Sequence, residues 1–266
     1  MVTIMKIISL VMTVWVLISE GSAAEISPIT NFVGRGVQVT NIPPNVAPNS
    51  IAAEFTKLQR RVVNPMNERL SYDPFSDTNL MARLEAIAQQ YPKSAEGKTA
   101  LLWLVTADAQ EYAKIINIPK RPQLLPRIEQ RHAFLAKEAR SSWHAKIVEL
   151  QKCERELLSG EMDKFRDSAA AIISSAARYR DDPDPQYDQY FRANHTSKDR
   201  IVYDLKILVI MSYAHEGNLE TPVRLGEILK KDEPLLARRD KLDSALDQLR
   251  SGKSPWELPI PRPSAK

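Results

Sequence analysis

A single cysteine in 266 residues excludes a disulfide framework, because a bridge within the chain needs two thiols. Eight glycines are few for a nucleotide-binding α/β enzyme or a turn-rich β-sandwich, which place glycine at tight turns and close backbone approaches. No phosphate loop, nucleophile elbow or dinucleotide fingerprint occurs, and Gly34-Arg35-Gly36 stands alone as a turn. Without CxxC or CxxCH there is no signal for thioredoxin-like redox chemistry or attached haem. Charge of one sign is not in excess either: 37 basic residues face 33 acidic ones, for a net +4. No run of Lys and Arg is longer than a pair, as at Arg60-Arg61, Lys230-Lys231 and Arg238-Arg239. A nucleic-acid binder gathers its cations on one face, so no nucleic-acid partner is expected. Past the N-terminus the most apolar run, 207–214, has eight residues, against the ~20 that span a bilayer.

What is present begins with an address. Lys6 precedes an apolar stretch at 7–18, broken only by Ser9 and Thr13, and Ser22-Ala23-Ala24 follows. This is the pattern of a secretory signal peptide cleaved before Glu25. The stretch is too short for a membrane anchor, and no cysteine follows it to carry a lipid. The expected destination is periplasmic or secreted, and the protein is not expected to be a lipoprotein. Asn194-His195-Thr196 is a glycosylation acceptor triplet. The remaining chain divides into an extended Pro-rich arm at 25–49, a helical domain at 50–252 and a Pro-rich tail at 253–266.

Periodicity points to helices throughout the middle segment. Ser50 caps a helix over 51–63, Asp77 one over 78–90 and Ser94 one over 95–116. Ile128, Leu135, Ala139, Trp143, Ile147, Leu150 and Leu157 form one stripe, which predicts a single helix of about 45 Å. Further helices are expected over 161–179, 200–214, 221–231 and 234–250. Asp181-Asp182-Pro183-Asp184-Pro185 opens a loop to Ser197. The fold class is all-α: irregular antiparallel helical hairpins, solenoid-like or bundled.

One hairpin carries a resemblance. The stretch Tyr213-Ala214-His215-Glu216-Gly217-Asn218-Leu219-Glu220, with Pro234 seventeen residues after the glycine, resembles a tetratricopeptide repeat. Gly217 and Asn218 make the turn, Tyr213 closes the first helix and Pro234 begins the next one. Pro222 and Gly226 depart from the pattern, standing where the repeat has a small residue and a bulky apolar one. Tyr91-Pro92-Lys93-Ser94, with Ala100 beyond, looks like a junction between such repeats, so the resemblance covers 203–234 and, more loosely, 78–116. It implies a surface that grips another polypeptide.

Residues with chemistry are scattered. His132 and His144 lie twelve residues apart on the long predicted helix, too far apart to share a metal. Glu129-x-x-His132 reads as a helix-surface charge pair. Asp182, Asp184, Gln186 and Asp188 alternate like a calcium loop, but Tyr187 and Ala193 stand where glycine and glutamate are required. A solvated acidic loop is therefore expected. Tyr187, Tyr190, Phe191 and His195 on the same segment are the candidate binding residues, with pinning of the loop to the helices as the alternative. Cys153 reads as a small buried hydrophobe. No catalytic residue, metal or cofactor is expected. The reading that follows is an exported, non-enzymatic binding or scaffold protein with a protein partner. Two alternatives stand beside it: an exported helical hydrolase acting on glycan or peptidoglycan through Glu or Asp, and a structural bundle that self-associates along the 128–157 stripe into a homo-oligomer.

Overall fold

The computed structural model describes residues 48–63, 74–140, 142–193, 197–256, 258 and 260. The signal segment, most of the arm, His195 and the glycosylation triplet lie outside them. Helix accounts for 83% of the described residues and none is in a strand, which establishes the all-α class.

Helices α1 (Pro48–Val63), α2 (Thr78–Gln90), α3 (Ala95–Ala113), α4 (Arg121–Glu138), α5 (Trp143–Leu158) and α6 (Met162–Ser174) are followed by two short ones, α7 (Ala176–Arg180) and α8 (Pro185–Ala193). The C-terminal set is α9 (Ile201–His215), α10 (Glu220–Asp232), α11 (Pro234–Arg239) and α12 (Leu242–Arg250). Helices close in sequence pack together: α2 on α3, α3 on α4 and α5, α5 on α6, α9 on α10, and α10 on α12. The two halves meet where α6 and α7 pack against α9, and α1 packs on α8 as well as on α2 and α3. Two helices sit at the centres of these sets. α3 buries 13 of its 19 residues and α9 buries 11 of its 15, as expected of helices that are apolar all round.

Local chemistry sets the boundaries. Asp77 Oδ1 accepts from Asn79 N and Leu80 N, both at 3.0 Å, and α2 starts where the capping signal places it. Ser94 Oγ accepts from Gly97 N at 3.0 Å, and α3 starts likewise. Its first turn lies so close to the end of α2 that a Cβ on Gly97 would overlap the Tyr91 carbonyl oxygen and stand 2.6 Å from its carbon. Glycine is thus fixed there by contact with backbone.

Several expected elements differ. The long helix over 128–157 is two helices, α4 and α5, with a turn at Ala139 to Ser142. Ser142 Oγ donates to Ala139 O at 2.8 Å, a local bond that competes with helical continuation. The apolar stripe survives because both helices turn it inward: Ile128, Leu135, Trp143, Ile147, Leu150 and Leu157 are all no more than 3% exposed. It is core within one chain and gives a second copy nothing to pack on. His132 and His144 therefore sit on different helices. The helix expected over 161–179 breaks at Ser175, whose Oγ bonds back to Ala171 O at 2.8 Å. The one expected over 234–250 breaks at Lys241, which takes a left-handed φ of 55°. Part of the expected tail is core: among its described residues, Trp256, Leu258 and Ile260 are 6–8% exposed.

Candidate functional site

The segment after Arg180 is not an open loop. Pro185 begins α8, a position that suits proline because its missing N–H has no helical partner there. Asp184 Oδ1 accepts from Gln186 N at 2.8 Å. The acids expected to be solvated are tied down: Asp182 meets Lys146 at 2.6 Å and Asp188 meets Lys198 at 3.2 Å. Burial opposes ionisation of Asp182, but Lys146, the Asp184 N–H and Lys198 outweigh it and hold its carboxyl below the usual range. Among the described residues, no group of three or more His, Cys, Asp or Glu is arranged to hold a metal ion.

Of the candidate binding residues, Tyr187, Tyr190 and Phe191 are at most 1% exposed. Their spacing of three and four puts them on one helical face, and that face is turned inward. Tyr187 and Tyr190 meet Phe191 edge-on, with centroids 4.9 and 5.7 Å apart. Tyr190 also lies 5.1 Å from Trp103 and 6.1 Å from Trp143. These side chains pin α8 to the core and present no surface to a partner. Cys153 is fully buried, and burial pushes its thiol far up.

Glu129 and His132 do not pair on the surface. His132 is buried and its Nε2 lies 2.9 Å from Gln151 Oε1, while Glu129 reaches Arg155 at 3.8 Å. Burial raises three described carboxyls, those of Asp108, Asp204 (to about 6) and Glu154 (to about 8). Asp108 and Asp204 are engaged by arginines, which leaves Glu154 as the candidate for a general acid. Neither of its oxygens has a hydrogen-bond partner. General acid work also needs contact with substrate, and this side chain is enclosed.

The repeat-like turn is well formed. Gly217 takes φ 84°, its N–H bonds to Ala214 O at 3.1 Å, and Asn218 N bonds to Tyr213 O at 3.1 Å. These two bonds are the Schellman pair that closes a helix. Asn218 Oδ1 then accepts from Thr221 N at 3.0 Å, satisfying an open N–H in the first turn of α10. Tyr213 lies under the Arg166 guanidinium at 4.5 Å, and Pro234 begins α11.

This hairpin borders an open groove. The groove, of about 490 Å³ between α10 and the end of α12, has Leu219, Val223 and Leu249 along its floor and Glu220, Arg224 and Arg250 on its rim. The crossing beneath it is tight, because a Cβ on Gly226 would overlap Leu246 Cδ2. Ion pairs Arg250–Glu227 and Lys230–Asp243 also join α10 to α12. Arg250 is thus engaged, whereas Arg224 has no ion pair among the described residues. One helical turn beyond Arg224, on the same line of α10, Ile228 is 51% exposed, and on α11 Leu235 is 83% exposed. The sequence signal for this surface is weak: Ile228 and Leu235 look like ordinary members of an amphipathic pattern.

Comparison with protein-family models, curated proteins and solved structures finds no match to this chain.

Proposed function

We propose that this chain is an exported, non-enzymatic scaffold that holds a protein partner on the outer surface of α10 and α11. The observation that carries the reading is apolar surface left in water on two consecutive helices: Ile228 of α10, one turn from a groove lined by Leu219, Val223 and Leu249, and Leu235 of α11 are both exposed. Exposed apolar surface next to a lined groove is what a partner's apolar side chains need. Arg224, with no ion pair among the described residues, favours a partner segment carrying a carboxylate. The hairpin resembling a tetratricopeptide repeat acts here as one grip element. Export rests on the leader-like pattern at 7–18; among the described residues no helix is long and apolar enough to cross a membrane.

The test is affinity capture of tagged 25–266 from the exported fraction of its own cells, beside Ile228→Glu and Arg224→Glu. Both positions are exposed, so the variants are expected to melt with the parent. The reading expects one stoichiometric protein partner with the parent chain, lost with both variants. No partner across a range of salt, or a partner retained by both variants, refutes it.

A further inference from the structure

A second arrangement lies beneath the surface, away from the groove. Gln151 on α5 stands between three other helices. Its Nε2 is 2.9 Å from Thr106 Oγ1 on α3 and 3.0 Å from Tyr190 Oη on α8, and its Oε1 is 2.9 Å from His132 Nε2 on α4. Thr106 gives its own proton to Leu102 O at 2.8 Å, so its oxygen can only accept from the others. Gln151 and Thr106 are each at most 1% exposed, Tyr190 is fully buried and His132 is 7% exposed.

Donor accounting leaves one arrangement. The two Gln151 N–H groups go to Thr106 and Tyr190, and Gln151 Oε1 accepts from His132 Nε2–H. His132 Nδ1 must then be bare, and the geometry requires it independently: Arg155 Nη1, a permanent donor, stands 3.4 Å from it. Flipping the Gln151 amide would move the imidazole proton to Nδ1 and set it against the guanidinium. His132 is thus neutral and held in one tautomer by two residues of α5.

We infer that the Thr106–Gln151–Tyr190–His132 chain is an acid-sensitive latch, which ties α4 and α8 to the core while His132 is neutral and releases them when its Nδ1 takes a proton. The second proton turns the contact with Arg155 from acceptor against donor into donor against donor, between two cations. The other groups around the ring do not relieve this. From α5, Arg155 and Lys152 both oppose the charge, and burial opposes it most, holding the imidazole at about 4. From α3 come neutral Thr106 and Asp108, whose carboxylate is engaged by Arg127 at 3.0 Å and Arg131 at 2.6 Å. From α8 comes neutral Tyr190. On α4 itself, Glu129 faces Arg155. No carboxylate is among the groups that act on the imidazole. Against an ordinary imidazole at 6.5, this favours the released form by about 100-fold by pH 4.

The inference does not depend on the partner surface, and its test does not use it. Hydrogen exchange, corrected for the intrinsic rate, is followed by mass spectrometry between pH 7 and pH 4 for the full mature chain and for His132→Gln. Peptides from 121–138 and 185–193 are expected to lose protection at least tenfold in the parent, while 220–250 keeps its protection, and His132→Gln is expected to remove the difference. Equal loss in the variant, or loss of protection throughout the chain at once, overturns the latch. Should the variant fail to fold, the His132 ring is followed by NMR in the parent: a midpoint near 6.5 overturns the inference, and one near 4 with coincident shifts at Tyr190 supports it.

Discussion

Replacing Glu154 with methionine should make the protein more stable, and increasingly so as pH rises. The side chain is 4% exposed and neither oxygen is hydrogen-bonded, so the carboxyl is favoured there only in its neutral form. Burial raises it from 4.5 to about 8. The sign follows directly. Between those values the folded chain keeps a proton that the unfolded chain has released, so stability is full below pH 4.5 and falls as pH rises toward 8. At 1.36 kcal/mol per pH unit the loss reaches about 3 kcal/mol at pH 7 and about 4 kcal/mol at pH 8, against under about 1 kcal/mol at pH 5. Methionine keeps nearly the same volume and carries no charge. Other titrating groups, including Asp204 and both buried histidines, are common to both chains and cancel. Urea unfolding at pH 5 and pH 8 gives the comparison. The stability advantage of Glu154→Met should widen by about 3 kcal/mol between the two. A gap that stays constant with pH would show that Glu154 ionises normally in the fold and refute the reasoning.

Two backbone predictions are independent of pH. Gly97→Ala adds a Cβ that overlaps the Tyr91 carbonyl, and backbone cannot step aside as a side chain can. It should cost at least about 2 kcal/mol in denaturant unfolding despite alanine's better helix propensity; a neutral or stabilising change would mean the α2–α3 junction is looser than described. Lys241→Gly relieves a left-handed residue with φ 55° between α11 and α12 and should stabilise by about 1 kcal/mol, read as a higher urea midpoint; a lower midpoint would contradict the assigned conformation.

Much of the helical plan is legible in capping chemistry, and it is ambiguous at proline, which can end a helix or begin one. Asp77 and Ser94 start α2 and α3 as their side chains dictate. Pro185 looks like a breaker, yet the chemistry that starts a helix at Pro234 applies equally to it, and Tyr187, Tyr190 and Phe191 have helical spacing. The turn between α4 and α5 was hidden by Leu135, Ala139, Trp143 and Ile147, which keep a step of four straight through it. Only the pair Ser141-Ser142 hints at a new cap. In the tail, Trp256, Leu258 and Ile260 alternate and so could be read as one buried side. The roles of Gln151, Thr106 and Glu154 could not be read at all. A polar residue on an amphipathic helix looks like surface until the packing of α3, α4, α5 and α8 shows it enclosed, because burial belongs to the tertiary structure. Ile228 and Leu235 present the reverse case, apolar residues whose exposure only the packed structure reveals.

The scaffold reading is tested most directly by site-specific photocrosslinking. A photoreactive phenylalanine analogue is placed at position 228 or 235, and at exposed Gln130 on α4 as a control, and irradiated in the exported fraction. A discrete crosslinked protein of the same mass from 228 and 235, and none from 130, is the predicted result. No adduct at 228 and 235, or the same adducts at all three positions, would contradict a partner held on α10 and α11.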